Sequence, residues 1–499
     1  MSTRASENKG GPGARPAYVR FREVAGRVVV TGVEGSWIVL SRPDFADLAA
    51  GRVDPRGELA SRLRERNLLQ DGFCRERAEE GIALRKRFLR HGPNLHILVL
   101  TRRCNETCLY CHASRAPMNA LSTDMTREVA ARSIDLALAT TSPAVTIELQ
   151  GGEPLLNFPV LKHAVEYALE RNRALGKSID FTLVTNLAAM DEEKLAWLLE
   201  HRVQICTSID GPPDLHDKQR KLAGGSAFAS AARWMRRINE AYEEMGLDPQ
   251  VYRVEALLTV TRAALARADD IVDTYLDLGC RALFLRPLDP FGFAGKSGHR
   301  IGYDVGEYMA FYRRAVDRMI ERALDGRQIV ERYAAIFLTK ILRAEDPNYL
   351  DIRSPCGAGI GQVAYGYDGR IFTCDEGRML HEDGDDTFQI GRVGESSYRQ
   401  LMGHPTVRAI AIASNLDAQP DCASCAYNPY CGVCPVVSHR TQGSIFGRMR
   451  DSRWCAVHKG IQDYLFEKLG DGDPRVREVL ERWTTDRPRT HFVQPCGDP

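Results

Sequence analysis

Three cysteines near position 108 are the residues of this chain whose types and spacing could do chemistry. Cys104, Cys108 and Cys111 form a C-x3-C-x2-C pattern directly after the apolar run 95–100. A run this short, bounded by proline and polar residues, predicts a buried strand, and the loop leaving a strand end is where α/β folds bind ligands. Three thiolates on one loop can hold three irons of a [4Fe–4S] cluster, which leaves the fourth iron open to a small molecule.

Structural zinc is the main alternative for clustered cysteines. Zinc prefers four protein ligands, usually as two C-x2-C pairs or with histidine. The nearby His112 directly follows Cys111 in the chain, which is poor geometry for closing a tetrahedron. The spacing therefore favours a cluster over zinc.

The same stretch resembles the signature of the radical S-adenosylmethionine (radical SAM) enzymes, with the aromatic Tyr110 before the last cysteine. The resemblance implies that the open iron chelates the amino and carboxylate groups of S-adenosylmethionine and that Tyr110 lies near the adenine. It also implies reductive cleavage of the cofactor to methionine and a 5′-deoxyadenosyl radical, which removes a hydrogen atom from a substrate.

The composition is that of a globular protein of two or three domains. The chain has 499 residues, of which 44% are hydrophobic, and its 67 basic residues nearly balance 66 acidic ones. This balance gives no support for binding to nucleic acid or a membrane surface, and no apolar run approaches the roughly 20 residues of a membrane span. The grouped cysteines and the lack of a signal-peptide core predict a reducing, cytoplasmic location. We expect Cys74, Cys206, Cys280 and Cys496 to be ordinary residues.

Changes in pattern along the chain divide it into six predicted segments. They are a disordered tail over residues 1–17, a small N-terminal α+β domain over 18–88, a barrel over 89–300, a helical bridge over 301–350, a cysteine-rich domain over 351–465, and a C-terminal helix and tail over 466–499. The small domain resembles the peptide-binding domains that precede many peptide-modifying radical enzymes. Alternatively, it only caps the edge of the main domain.

The middle of the chain alternates candidate strands with amphipathic helices. The strands are predicted at 95–100, 144–149, 179–185, 203–208, 254–260 and 281–286, with helices between them such as 126–139 and 191–201. Alternation of this kind predicts a parallel sheet with crossover helices. The predicted fold class is therefore α/β, and six repeats match the partial (β/α)6 barrel that the resemblance implies, with a small N-terminal domain and a cysteine-rich C-terminal domain.

Two predicted strand ends carry candidate cofactor contacts. Gly151 and Gly152 follow the second strand and let a backbone approach a ligand closely, and Glu153 can accept hydrogen bonds from an ammonium. At this distance after the cysteines they resemble the family's GGE motif, which holds the methionine amino group. Asn186 closes the third strand and is a further candidate contact of the cofactor.

Ser208 closes the fourth strand, and Arg220 follows in the same segment. The segment resembles one in sulfatase-maturing and peptide-modifying members, where a serine and a later arginine contact the carboxylate or ribose of the cofactor. Alternatively, Arg220 only pairs with Asp217.

A second group of cysteines resembles the SPASM extension of radical SAM enzymes that act on peptides and proteins. By this resemblance a distal auxiliary [4Fe–4S] cluster is held by Cys422, Cys425, Cys431 and Cys455, and a proximal one by Cys356, Cys374 and Cys434. No cysteine between Cys356 and Cys374 supplies a fourth proximal ligand, which predicts an open iron or a non-cysteine ligand such as Asp375 or Glu376. A zinc ribbon of Cys422, Cys425, Cys431 and Cys434 is the alternative.

The leading functional hypothesis is a maturase of a ribosomally made peptide, and the stretch 369–380 resembles the His-Xaa-Ser system maturases. In such an enzyme the auxiliary clusters accept the product electron, so the product is a crosslink, a thioether or a dehydrogenated side chain. The expected partners are a precursor peptide or small protein and an electron donor such as flavodoxin or ferredoxin, with no nucleic acid and no membrane. The alternatives are a maturase that makes formylglycine and an iron–sulfur electron carrier or scaffold. The catalytic acid or base stays unassigned.

Overall fold

The computed structural model describes residues 13–495. The predicted disordered tail over residues 1–17 lies mostly outside this range. The part of it that is described is packed, since Ala14 is buried and forms an antiparallel bridge with Val53. The ordered N-terminal domain therefore begins earlier than the sequence predicted.

The N-terminal domain consists of a three-stranded antiparallel sheet and three helices. Its elements are β1 (Val19–Val24), β2 (Arg27–Gly32), β3 (Trp37–Leu40), α1 (Arg42–Ala49), α2 (Glu58–Glu65) and α3 (Arg75–Arg85). Leu63 of α2 packs with Val30 and Ile38 of the sheet in a small core. Helix α1 begins with a side-chain cap, because the Ser41 side chain accepts a hydrogen bond from the Asp44 N–H.

The barrel follows from the predicted alternation of strands and helices. Its elements are β4 (Leu95–Val99), β5 (Glu106–Cys108), α4 (Arg127–Leu138), β6 (Ala144–Gln150), α5 (Phe158–Asn172), β7 (Ser178–Val184), α6 (Glu192–Glu200), β8 (Val203–Ser208), α7 (Pro213–Gln219), β9 (Arg220–Leu222), α8 (Ala227–Glu244), β10 (Glu255–Thr259), α9 (Ala268–Asp277) and β11 (Ala282–Arg286). The six predicted strands β4, β6, β7, β8, β10 and β11 lie side by side in this order and are parallel. The α/β fold class is thereby confirmed.

The barrel strands separate apolar from polar residues by their alternation. On β6, β7 and β8 every second residue is fully buried in the core that includes the helices α4 and α5. The residues between them are only partly buried and include Glu148, Asp180 and Thr182. Because successive side chains of a strand point to opposite faces, these residues share one face, which we call the polar face of the sheet.

The remaining elements complete the chain. They are α10 (Gly292–Ile301), α11 (Val305–Leu324), β12 (Val330–Glu331), α12 (Arg332–Leu342), β13 (Gln362–Tyr365), β14 (Arg370–Phe372), α13 (Asp375–Glu382), β15 (Gln389–Arg392), α14 (Tyr398–Met402), α15 (Pro405–Ala413), α16 (Pro420–Ala423), α17 (Pro435–Gln442), α18 (Arg453–Gly470) and α19 (Pro474–Arg482). Within residues 13–495, no helix combines the length and the apolarity needed to cross a bilayer.

The sheet continues beyond the barrel on both sides. β13 pairs in parallel with β4, β14 and β15 follow in antiparallel pairs, and β12 pairs with β11 at the opposite edge. All ten strands form one sheet, in which β4 and β11 pair with other strands and so leave the barrel open. The cysteine-rich region is therefore joined to the barrel through the sheet, where the sequence had predicted a boundary.

Candidate active site

The loop that carries Cys104, Cys108 and Cys111 leaves the carboxyl end of β4. Its first turn is fixed by Arg103, whose guanidinium donates to the two carboxylate oxygens of Asp124 at 2.8 and 2.6 Å. The three thiols lie within electrostatic range of one another, and burial raises the pKa of the Cys104 thiol to about 12. The fold thus brings the three predicted cluster ligands together in a partly buried place.

Hydrogen-bond donors face two of these sulfurs. The Glu106 N–H and the Asn186 Nδ2 lie 3.4 and 3.7 Å from Cys104 Sγ. A guanidinium nitrogen of Arg220 lies 3.8 Å from Cys108 Sγ. Donors placed in this way stabilise sulfur that carries negative charge, which is the form of cysteine that binds iron. The donor set and its surroundings fit an iron–sulfur cluster.

Gly151 and Gly152 pack against the cysteine loop. A methyl group on Gly151 would lie 2.2 Å from the carbonyl oxygen of Thr101, and one on Gly152 would lie 2.3 Å from that of Arg103. The Gly152 N–H donates to the Thr101 carbonyl at 2.7 Å. Glycine therefore lets the backbone approach the neighbouring loop closely. The sequence had instead suggested that glycine lets the backbone approach a ligand.

Glu153 is fully buried at the end of β6 and is held by three donors. Its carboxylate accepts hydrogen bonds from the Thr185 hydroxyl at 2.7 Å, the Asn186 N–H at 2.8 Å and the Leu155 N–H at 2.9 Å. Burial raises its pKa to about 7. Because a carboxylate offers about four acceptor positions, one remains for an incoming donor.

A buried network that the sequence did not reveal joins Tyr110 to Arg220 through Asp210. The Tyr110 hydroxyl donates to the Asp210 carboxylate at 2.5 Å, and Arg220 Nε donates to it at 3.1 Å. Glu106 is a second carboxylate, 3.8 Å from the same guanidinium. The antiparallel pair β5–β9 places Cys108 opposite Arg220 in register. Asp210 therefore holds two predicted cofactor contacts in position and connects them to the cysteine loop.

The alternative pairing of Arg220 with Asp217 is wrong. Asp217 accepts hydrogen bonds from the Ser226 hydroxyl at 2.6 Å and the Phe228 N–H at 2.8 Å, at the start of α8. Ser208 is the last residue of β8 and lies on the polar face of the sheet, partly buried. Both predicted contacts from this segment thus lie at the carboxyl end of the strands.

The polar face also carries Glu148, which the sequence analysis did not select. Burial raises the pKa of Glu148 to about 7, and the carboxylate lies within electrostatic range of Asp375 and Arg286. A carboxyl group with this pKa can hold or release a proton near neutral pH. The alternation of polar and apolar residues along β6 was the signal that could have found it.

The C-terminal cysteines form two separate groups. The distal group, which lines one small pocket, is Cys422, Cys425, Cys431 and Cys455. The proximal group is Cys356, Cys374 and Cys434. These three residues belong to one apolar cluster and lie within electrostatic range of one another. Because Cys434 belongs to the proximal group, the four ligands of the zinc-ribbon alternative do not come together.

Partly buried carboxylates lie beside the proximal group. Glu376 is within electrostatic range of all three proximal thiols, and among the described residues its carboxylate forms no hydrogen bond or ion pair. Asp351 lies near the Cys356 thiol and was not predicted, because it belongs to an irregular loop. Asp375, by contrast, is paired with Arg378 at 2.7 Å. Of the two carboxylates that the sequence suggested, Glu376 is the one left free.

The other cysteines lie apart from these groups. Cys74 is exposed at the start of α3, Cys206 lies within β8, Cys280 is buried before β11, and Cys496 lies outside the described residues. In the part of the chain that the structure describes, no three His, Cys, Asp or Glu side chains converge closely enough to hold a single metal ion. A [4Fe–4S] cluster binds each thiolate to a different iron, so its ligands lie farther apart.

Residues 98–248 match the model of the Radical SAM superfamily. This stretch runs from β4 to just after α8 and includes the three cysteines of the loop. Among curated proteins it is similar to the cysteine-type anaerobic sulfatase-maturating enzyme of Clostridium perfringens, with 23% identity over 391 residues that cover 76% of this chain and 98% of the relative. It is also similar to the serine-type anaerobic sulfatase-maturating enzyme of Klebsiella aerogenes, with 24% identity over 350 residues that cover 68% and 80% of the two chains.

Two solved structures share the fold of this chain. Native anSMEcpe with bound AdoMet matches with a TM-score of 0.63 and 19% identity, over 78% of this chain and 99% of that one. Streptococcus suis SuiB bound to precursor peptide SuiA matches with a TM-score of 0.51 and 13% identity, over 88% and 99%. These likenesses confirm the predicted architecture of a radical SAM barrel.

Proposed function

We propose that the chain is a radical SAM enzyme that modifies a ribosomally made peptide. The observation that carries the proposal is the loop after β4, where three free thiols lie together and two of them face N–H donors, within a stretch that matches the Radical SAM superfamily. Cys104, Cys108 and Cys111 would hold the [4Fe–4S] cluster. When bound, such a cluster supplies one-electron reduction of the sulfonium of S-adenosylmethionine, which yields methionine and the 5′-deoxyadenosyl radical.

The chain's own residues would bind and orient the cofactor. Glu153 keeps one acceptor position for the ammonium of the methionine moiety, and its three internal hydrogen bonds fix that position. The Tyr110 ring faces the adenine in this proposal, since its hydroxyl is already committed to Asp210. Ser208 and Arg220 lie at the strand ends as contacts of the carboxylate or ribose, and Gly151, Gly152 and Asn186 hold the surrounding loops.

Reductive cleavage of the cofactor separates an enzyme from an electron carrier. Anaerobically reconstituted protein with dithionite and S-adenosylmethionine should form 5′-deoxyadenosine, measured by liquid chromatography and mass spectrometry. The Cys108→Ala variant should form none, while Cys74→Ala, at an exposed cysteine away from the loop, should retain the wild-type rate. Wild-type protein that carries iron but forms no 5′-deoxyadenosine would instead be a carrier or scaffold.

The auxiliary groups are proposed to hold two further [4Fe–4S] clusters. The distal group supplies four thiolates, and the proximal group supplies three together with the carboxylate of Glu376. Glu376 is preferred to Asp375 because Asp375 is engaged by Arg378, whereas Glu376 forms no hydrogen bond or ion pair among the described residues. A hard carboxylate among soft thiolates makes one iron distinguishable from the other three.

Spectroscopy tests the Glu376 ligand without relying on turnover. In a background lacking the first three cysteines, Glu376→Ala should change the electron paramagnetic resonance signal of one reduced auxiliary cluster and leave the other unchanged. Asp375→Asn is the matched control next to it and should alter neither signal. Unchanged spectra in Glu376→Ala, or the same change in both variants, would exclude Glu376 as a ligand.

A peptide substrate is supported by two relatives whose structures were solved with peptides, anSMEcpe with the Kp18Cys peptide and SuiB with SuiA. The likeness to SuiB extends over 88% of this chain, and the likeness to the anSMEcpe–peptide complex extends over 78%. The larger share covered by SuiB supports a peptide maturase over a sulfatase maturase. The resemblance to the His-Xaa-Ser system maturases makes a peptide with His-Xaa-Ser repeats the first substrate to test. The N-terminal domain would then dock the peptide's leader.

A maturase that oxidises serine or cysteine to formylglycine is the second candidate. It is favoured by the curated relatives named as cysteine-type and serine-type anaerobic sulfatase-maturating enzymes. The two candidates differ in their products. Incubation with a His-Xaa-Ser peptide should give a product two hydrogens lighter with a new crosslink, whereas a sulfatase-derived peptide should give an aldehyde that reacts with hydrazine reagents. Turnover of only the sulfatase peptide would overturn the first candidate.

A further inference from the structure

A pocket between the N-terminal domain and the segment after α12 has a charged lining that the proposed radical chemistry does not use. Its charged residues are the basic Arg20, Arg85, Lys86, Lys340 and Arg353 and the acidic Glu345, Asp346 and Asp417. Five positive charges against three negative ones leave an excess of two. We call this the cationic pocket.

Three cations of the cationic pocket lack a carboxylate partner. Among the described residues, Arg85, Lys340 and Arg353 form no ion pair. Each donates to a neutral oxygen, which is a backbone carbonyl for Arg85 and Lys340 and a side-chain amide for Arg353. The Asp346 carboxylate lies within electrostatic range of Lys340 and Arg353, but it forms an ion pair with neither and compensates only part of their combined charge.

Burial makes the missing partner significant. Lys340 is 5% exposed and Arg353 is 2% exposed. The buried Nε of Arg353 and Nη1 of Arg85 have no hydrogen-bond partner in the described part of the chain. A buried charge that is only partly compensated destabilises a fold, and burial accordingly lowers the pKa of Lys340 to about 8. These groups are arranged as a site that a negative ligand would complete.

The guanidinium of Arg353 is also held in advance of any ligand. It lies 4.0 Å from the centre of the Phe88 ring and donates to Asn348 Oδ1 at 3.0 Å. A planar guanidinium fixed in this way presents its remaining N–H groups in a geometry suited to two oxygens of one group.

We propose that the cationic pocket binds an oxyanion, either a carboxylate or a phosphate, on Lys340 and Arg353. The oxyanion comes from an acidic side chain of a peptide or from a free small anion, and both offer the same oxygen acceptors. The site is distinct from the proposed cofactor sites except for Cys431, which lines both the cationic pocket and the distal pocket. A cluster on the distal group would add negative charge near Cys431, so binding is measured on the cluster-loaded protein.

The test titrates inorganic phosphate into cluster-loaded, full-length protein at constant ionic strength, with chloride as the balancing anion. We expect the thermal midpoint of the wild type to rise and saturate with phosphate. In Lys340→Met the phosphate response should be lost. Without phosphate the midpoint of this variant should be higher than that of the wild type, because an unpaired buried charge has been removed. A residue with only a structural role would give neither change.

Lys177→Met is the matched control. Lys177 also donates to two backbone carbonyls, those of Thr140 and Ser142, but it lies outside the cationic pocket. Its variant should keep the phosphate response of the wild type. If Lys340→Met does not fold, calorimetric titration of the wild type and of Lys86→Met replaces it, since Lys86 is partly exposed at the same pocket. Weaker phosphate binding by Lys86→Met is the expected result.

Two peptides distinguish the sources of the anion. Hexaglutamate binding at lower concentrations than phosphate would identify an acidic peptide as the ligand, and phosphate binding without hexaglutamate binding would identify a free anion. Hexaglutamine should not bind in either case. The proposal is overturned if neither anion shifts the wild type, or if Lys340→Met and Lys86→Met both respond as the wild type does.

Discussion

Replacing Asp210 by asparagine tests the geometry of the candidate site most directly. Asp210 is fully buried and accepts hydrogen bonds from the Tyr110 hydroxyl and from Arg220 Nε at 3.1 Å. Asparagine keeps the shape of the side chain but removes the charge. Arg220, whose side chain is 11% exposed, would then have Glu106 at 3.8 Å as its nearest remaining carboxylate.

The expected loss of stability follows from the positive charge of Arg220, which remains buried after Asp210 has been neutralised. Removing one partner of a buried ion pair costs about 3–5 kcal/mol, because the other charge remains without compensation. Glu106 retains part of the compensation, so we expect a loss of about 3 kcal/mol in the free energy of unfolding. Since Cys108 pairs in register with Arg220, the cysteine loop should shift as well. The iron bound by Cys104, Cys108 and Cys111 should therefore decrease.

Urea denaturation of the cluster-loaded protein measures this loss through the cluster absorbance and the tryptophan fluorescence. Asp217→Asn is the control from the same segment, since Asp217 accepts a hydrogen bond from the Phe228 N–H at the start of α8, and weakening one such bond costs about 1 kcal/mol. The double variant Asp210→Asn/Arg220→Met should recover only part of the loss, because it removes the uncompensated guanidinium but leaves the buried Glu106 without its ion-pair partner. A loss in Asp210→Asn no larger than that in the control, or no recovery in the double variant, would refute the reasoning.

Two further changes test the packing around the site. Gly152→Ala should lower both the iron content and the rate of 5′-deoxyadenosine formation, because the added methyl would lie 2.3 Å from the Arg103 carbonyl oxygen. We expect the rate to fall about tenfold, which corresponds to about 1.4 kcal/mol. Wild-type values of both quantities would contradict the packing. Burial lowers the pKa of His96 to about 4 from an ordinary 6.5, so the unfolded state takes up the proton first and stability is lost as pH falls from 6.5 towards 4. Between pH 7 and 5 this loss of stability is about 2 kcal/mol. The His96→Gln variant should lose less stability over this range, as measured by urea midpoints at the two pH values. An unchanged pH dependence would show that other groups dominate.

The barrel strands could be predicted from the sequence because each is a short apolar run bounded by polar residues and turns. The fourth strand was predicted at 203–208 and is observed as Val203–Ser208. The start of α6 was likewise predicted, since the Asp191 side chain accepts a hydrogen bond from the Lys194 N–H. Both signals are local, so they can be identified without knowledge of the fold.

The strands β13, β14 and β15 could not be predicted in the same way. They are three or four residues long, and β13 pairs with β4, which is far away in the chain. Segments this short become strands through their partners more than through their own residues. The same holds for β5 and β9, whose pairing brings Arg220 to Cys108.

The sequence by itself was enough to predict the kind of chemistry, because the types and spacing of Cys104, Cys108 and Cys111 resemble the ligand set of a cluster. It also determined the alternating fold, because the period of apolar residues is a local property. Only the tertiary structure decided which charges are paired. Asp210 rather than Asp217 holds Arg220, and Glu376 rather than Asp375 is left free. Charge pairing depends on which distant segments share a buried space, and that information exists only once the chain has folded.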